Sequence, residues 1–175
     1  MTVESAIRAR VSVKDFTAAE VPRGRIEDLI ELAALAPNHR MTEPVRFRVL
    51  GPEAKRVYAE ALARRKTRKV DDPEAERAVR EKVVRRTLEV PSMIGVVVHV
   101  NEDPEIREED YATAFMAVQN LSLAVVAEGL GTHIKTGAVM GEAALRESLE
   151  VGDDERLVAI VFLGEPEALP DPKPR

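Results

Sequence analysis

DYATAFMAVQNLSLAVVAE, residues 110–128, is the stretch that decides how the rest of the chain is read. Tyr111, Phe115, Met116, Val118, Leu121, Leu123, Val125 and Val126 spread round most of a helix instead of forming one stripe. A helix that is apolar nearly all round must be buried nearly all round. A chain of 175 residues has little material for that, so the pattern predicts a second chain covering part of the helix. Gly129 and Gly131 end it. The pair does not read as a dinucleotide fingerprint, because it follows a helix and lacks the third glycine.

Moving outward, MIGVVVHV (93–100) and RLVAIVFLG (156–164) are short, β-branched and read as buried strands. VRFRVL (45–50) alternates apolar and polar residues, the period of a half-buried strand. VPRGRIEDLIELAALAP places Ile26, Leu29, Ile30, Leu32 and Ala33 at helical spacing, closed by Pro37. Residues 2–10 predict a short helix with Thr2 as N-cap. Residues 53–66 and 74–90 predict two charged amphipathic helices, with Asp72 capping the second. Residues 141–149 predict a short helix. Asn101–Glu108 reads as an acidic loop, and HIKTGAVM (133–140) and the proline-rich tail EPEALPDPKPR as irregular. Strands and helices do not alternate strictly, so the fold class is α+β, one domain over residues 1–175 with a central sheet covered by helices.

Composition narrows function by exclusion. With 26 basic and 31 acidic residues the chain is acidic, which argues against nucleic-acid binding through a general basic field. No cysteine is present, which removes disulfides, thiol catalysis and Cys-ligated metal. The longest apolar run, Leu157 to Leu163, is far short of the ~20 residues of a membrane helix. The opening MTVESAIRAR lacks a signal-peptide core, so a soluble cytoplasmic protein is expected.

His39, His99 and His133 have no metal spacing among themselves, and no metal is expected. His99 lies within a strand and reads as packing, whereas His39 stands in a polar loop. Glu108, Glu109 and Asp110 read as carboxylates at a helix start, where the dipole favours them. RRKTRK (64–69) reads as a solvated face. More informative are Arg10, Ser12 and Lys14 in one extended stretch, with Lys173 and Arg175 in the tail. Cations in irregular segments near both ends of an acidic chain suit a phosphate, which Arg grips through its fork and Ser supports with a hydroxyl.

Four blocks in order carry a resemblance. RVSVKDF (10–16) resembles the R-R-S-V-R-x-F opening of the FMN-dependent nitroreductases. LIELAALAPNHRMTEPVRFRVL (29–50) resembles their helix ending in Ala-Pro, a polar loop, Gln-Pro-Trp-x-Phe and a strand. AFMAVQNLSLAVVAEGLGTHIKTG (114–137) resembles their central helix with its Gly-Leu-Gly, and VAIVFLGEP (158–166) their last strand. The tail KPR matches a late Lys-x-Arg, and the Ala-Pro-Asn-His loop and short length resemble the compact branch. Val11 stands in place of a second Arg, Glu43 of a Gln and Val45 of a Trp. The last two bear on substrate preference more than on flavin binding.

The resemblance implies an intertwined homodimer built on a mixed sheet, with two FMN sites at the interface. NADH or NADPH would be the reductant and a nitroaromatic, quinone-like or related small molecule the electron acceptor, in ping-pong hydride transfer. A flavin-binding dimer with little turnover, for storage or sensing, is the alternative. No side-chain acid–base pair is required, since the flavin carries the chemistry. Carried over, Arg10 and Ser12, with the Val11 backbone, would meet the FMN phosphate side, and Lys14 the flavin N1–O2 edge. Lys173 and Arg175 would close on the phosphate. Ile134, Lys135, Thr136 and Gly137 would pass the N5–O4 edge, and Pro37, Asn38, His39 and Met41 would reach the second flavin from the other subunit.

Overall fold

β2 (Ser92–His99) and β4 (Glu155–Gly164) pair antiparallel at the centre of a sheet whose order is β1-β2-β4-β3, with β1 spanning Val45–Val49 and β3 spanning Gly131–Lys135. The computed structural model describes residues 1–170. Every strand pairing is antiparallel. The mixed sheet expected above is therefore corrected: the parallel contact among the described residues is one bridge, Ser12 to Thr132, too short to make a strand.

Period-two alternation sends β2 to both faces of the sheet. Met93 and Val97 enter one apolar core, Ile94, Val96 and Val98 the other. On β4, Leu157, Ile160 and Phe162 face the first core, while Val158 and Ala159 both face the second. That break in alternation coincides with a register shift opposite Val96 and Val97, as a β-bulge requires. The first core is roofed by α3 (Pro52–Thr67), with α4 (Pro73–Leu88) packed outside it, and by α6 (Ala143–Ser148). The second is roofed by α2 (Arg23–Ala34) and α5 (Pro104–Ala127). Helix α1 (Val3–Ala9) lies against α5, and Thr2 caps it as expected. None of the described helices is long and apolar enough to cross a membrane.

Three local expectations change. Helix α5 begins at Pro104, six residues before Asp110, because Asp103 accepts from the amides of Glu105 and Ile106 and Pro104 takes the first helical position. The same Asp-Pro signal is read correctly at Asp72-Pro73. HIKTGAVM is not irregular: Gly131–Lys135 is β3 and Ala138–Gly141 is a 3-10 turn. His99 is not a packing residue, for its side chain is 47% exposed and lies 3.4 Å from Asp154.

Helix α5 is covered within its own chain on the side carrying Ala114, Val118, Leu121 and Val125. Met116 stays exposed, as do Val3 and Ile7 of α1 and Leu32 and Leu35 at the end of α2.

Candidate functional site

Residues 10–17 run beside β3 in extended form. The Val13 amide donates to the Thr132 carbonyl at 2.9 Å, and Val13 and Phe16 point into the first core. Alternation then puts Ser12 and Lys14 on the opposite, exposed side. Gly131 permits this approach: a Cβ there would lie 2.5 Å from Val13 Cγ2. Gly129, at φ 77°, is the residue that stops α5. The extended strip also pairs with the start of the tail. Thr17 donates to the Glu165 carbonyl at 2.9 Å and Glu167 to the Asp15 carbonyl at 3.1 Å. Lys173 and Arg175 lie outside the described residues.

On β3, His133 and Lys135 share one face. Lys135 Nζ donates to His133 Nε2 at 3.1 Å and sits 5.3 Å from the centre of the Phe162 ring, whose edge also meets His133 and Tyr58. Donation by the ammonium requires a neutral imidazole. Burial lowers the His133 pKa, and the charges of Lys135 and Lys14 lower it further. Burial likewise lowers that of Lys135, helped by Lys66 and Lys14. Burial pushes the Tyr58 phenol upward, so it stays neutral. Arg10, Lys14, Lys66 and Lys135 make no ion pair among the described residues. In sequence Lys66 reads as part of a solvated basic face and His133 is weighed only as a metal ligand, so neither is assigned to the site. For His133 a signal existed, its i−2 spacing from Lys135 on a strand; Lys66 arrives from α3 and had none.

Past β3, Thr136 and Gly137 are exposed, and Gly137 has φ 102° with open space where a Cβ would stand. They line a cleft of about 1020 Å³ with Tyr111, Phe115, Arg156 and Val158. Ile134 points the other way, into the second core. Arg10 closes α1 through its amide, and Val11 is half-buried.

Pro37, Asn38, His39 and Met41 gather elsewhere, against the first half of α5. Thr113 donates to the Pro37 carbonyl at 3.2 Å, and His39 Nδ1 lies 2.9 Å from Glu109. Arg40 bonds Glu109 and Glu105, and Thr42 donates to the buried Asp110. The His39 hydrogen bond, together with Arg40, holds the Glu109 carboxyl below its ordinary range. Among the described residues no hydrogen bond or ion pair joins this loop to the basic strip.

A flat, anionic cofactor fits these residues. Arg10, Lys14 and Lys135 make no ion pair among the described residues, Asp15 being taken by Arg86; the buried Thr132 hydroxyl has no hydrogen-bond partner, and the backbone at Gly137 is open to close approach.

The architecture is thus an α+β sheet protein with unpaired cations gathered along one sheet edge. The chain belongs to the nitroreductase family, whose family model matches residues 7–165. YfhC of Bacillus subtilis, named as an NAD(P)H nitroreductase, is 32% identical over 97% of this chain and 87% of its own length. The crystal structure of a nitroreductase-like family protein from Bacillus cereus superimposes with a TM-score of 0.85 at 26% identity, covering 100% of this chain and 91% of that one. NfnB of Sphigopyxis sp. strain HMH, an FMN and NADPH-dependent nitroreductase, shares the fold with a TM-score of 0.75 at 20% identity, covering 99% of this chain and 96% of NfnB. Family and relatives place the chain among oxidoreductases.

Proposed function

We propose that this chain is a single-domain, cytoplasmic, FMN-dependent NAD(P)H oxidoreductase that reduces nitroaromatic, quinone-like or related small acceptors. The observation that carries the reading is the basic strip. Beyond the effect of burial, the charges of Lys66 and Lys14 lower the pKa of Lys135, and those of Lys135 and Lys14 that of His133, while none of these lysines makes an ion pair among the described residues. Like charges held together in a folded chain are costly, and an anionic ligand offsets that cost.

Arg10 and Ser12, with the Val11 amide, bind the phosphate, joined by Lys173 and Arg175. Lys14 faces the N1–O2 edge of the ring, and residues 134–137 line its N5–O4 edge through the backbone. When bound, the flavin supplies hydride transfer from NADH or NADPH and onward reduction of the acceptor, one after the other. The neutral His133 takes no proton in this scheme; it holds the Lys135 ammonium in place.

The protein works as a homodimer in this reading. The exposed apolar residues of α1, α2 and α5 supply its contact surface. Pro37, Asn38, His39 and Met41 serve the partner's flavin.

Purified protein is expected to be yellow, to bleach with NADH or NADPH and to recolour with a quinone. Colour without bleaching supports flavin storage or sensing instead, and protein that takes up no FMN sinks both. Shared sites are tested by co-expressing Arg10→Ala and His39→Ala chains, each first shown to be impaired as its own homodimer. The heterodimer then holds one site with both lesions and one with neither, so about half of wild-type activity returns in the isolated heterodimer. Sites built within one chain would each carry one lesion, and activity would stay near the mean of the parents.

A further inference from the structure

Between Pro37 and Pro44 the backbone is strained. Arg40, Met41 and Glu43 have φ of 65°, 52° and 46°, left-handed values that side chains disfavour. Such strain persists only where the surroundings over-determine it, and it gathers at functional segments. Here the surroundings are one stripe of α5: Glu105, Glu109, Asp110 and Thr113, at helical spacing, each hold the loop.

These contacts are not equal. The His39 and Arg40 side chains are 70% and 42% exposed, so their pairs with Glu109 and Glu105 are weak in water. Asp110 is fully buried. Thr42 is its donor, and its second oxygen, also buried, has none among the described residues. A buried carboxylate with one hydrogen bond is an expensive way to fill space, and an apolar residue would cost less. What Asp110 adds is a fixed point for Thr42. Asn38 passes that constraint on, since its Nδ2 donates to Thr42 at 3.0 Å and its Oδ1 accepts from the Glu43 amide at 2.7 Å.

We infer that Asp110 and Thr42 form a latch that positions the 37–43 loop, presenting His39 and Met41 outward in a preset conformation; both are positioning residues. Met41 is 76% exposed, as a side chain offered to a partner would be. The loop's use at a flavin rests on the function proposed above; the latch itself does not.

Thr42→Val, Thr42→Ser and Asp110→Leu test it. In the flavin-free protein, tryptic cleavage after Arg40 is expected to quicken several-fold in Thr42→Val and Asp110→Leu, and to return to the wild-type rate in Thr42→Ser. In the FMN-loaded protein, the FMN dissociation constant or the acceptor KM is expected to rise about tenfold in the same two variants, the low end for a lost hydrogen bond to a charge. Thr42→Ser restores it, which separates positioning from general loosening. If Thr42→Val does not fold, Asp110→Leu, which removes the buried polar group, carries the test. Unchanged cleavage overturns the latch. Faster cleavage with wild-type FMN affinity and KM overturns its role at the site. Wild-type protein that takes up no FMN overturns the proposed function, while the cleavage result still decides the latch.

Discussion

Along β3 the cations stand without ion-pair partners among the described residues, whereas in the 37–43 loop the His39, Arg40 and Thr42 side chains all meet carboxylates of α5. Arg10, Lys14, Lys66 and Lys135 make no described ion pair, and Lys135 spends its hydrogen bond on a neutral histidine. In the loop, His39 and Arg40 share Glu109, Arg40 also reaches Glu105, and Thr42 donates to Asp110, all carboxylates of α5. The contrast separates two uses of charge in one molecule. In the function proposed above, the unpaired cations await an anionic ligand. The strained loop is instead held by the Thr42–Asp110 hydrogen bond, with exposed ion pairs around it.

The largest expected break in that contrast is Arg10→Ala. It should weaken FMN binding by about 1.5–3 kcal/mol, roughly 10- to 150-fold, the loss of a charge-assisted hydrogen bond. Titration of the flavin-free protein measures it, and an unchanged dissociation constant removes Arg10 from the site.

Gly131→Ala tests whether the strip owes its position to packing. The new Cβ meets Val13 Cγ2 at 2.5 Å, and Val13 is buried against the core. Overpacking should cost about 1–3 kcal/mol in urea unfolding and weaken FMN binding with it. Val13→Ala in the same chain should recover part of both. If Gly131→Ala alone is neutral, the strip is not held as described.

The smallest effect concerns His133, whose pKa is lowered by burial, then by Lys135 and Lys14. The unfolded chain, with its histidine near 6.5, takes up the proton first as pH falls. Stability is therefore full above about pH 6.5 and is lost as pH drops toward the depressed native value. The ring is only about half-buried, so well under 1 kcal/mol is expected after solvent screening. Urea midpoints of the flavin-free protein at pH 7.5 and 5.5 should differ more in wild type than in His133→Gln. Parallel behaviour would show that His133 does not titrate in this window.

Much of the architecture followed from local pattern. The short apolar runs MIGVVVHV and RLVAIVFLG, the caps at Thr2 and Asp72, and the all-round apolar helix before Gly129 are set by residues within a turn or two of each other. The α+β class followed from those patterns, and the grouping of Arg10, Val11, Ser12 and Lys14 with residues 134–137 as one candidate site followed from the family resemblance. The start of α5 was hidden because its first turn is acidic, and β3 because His133 and Lys135 break the apolar look of a strand.

Tertiary structure alone decided the rest. That the charge of Lys66 is felt at Lys135 depends on how α3 crosses the sheet, and that Asp110 is buried depends on the loop folded over it. Glu108, Glu109 and Asp110 look alike in sequence, yet one is sealed from water and another grips two side chains. Local sequence sets backbone preference and which face is apolar. Which charges are left unpaired is set by contacts between residues far apart in the chain, and those exist only once the core has closed.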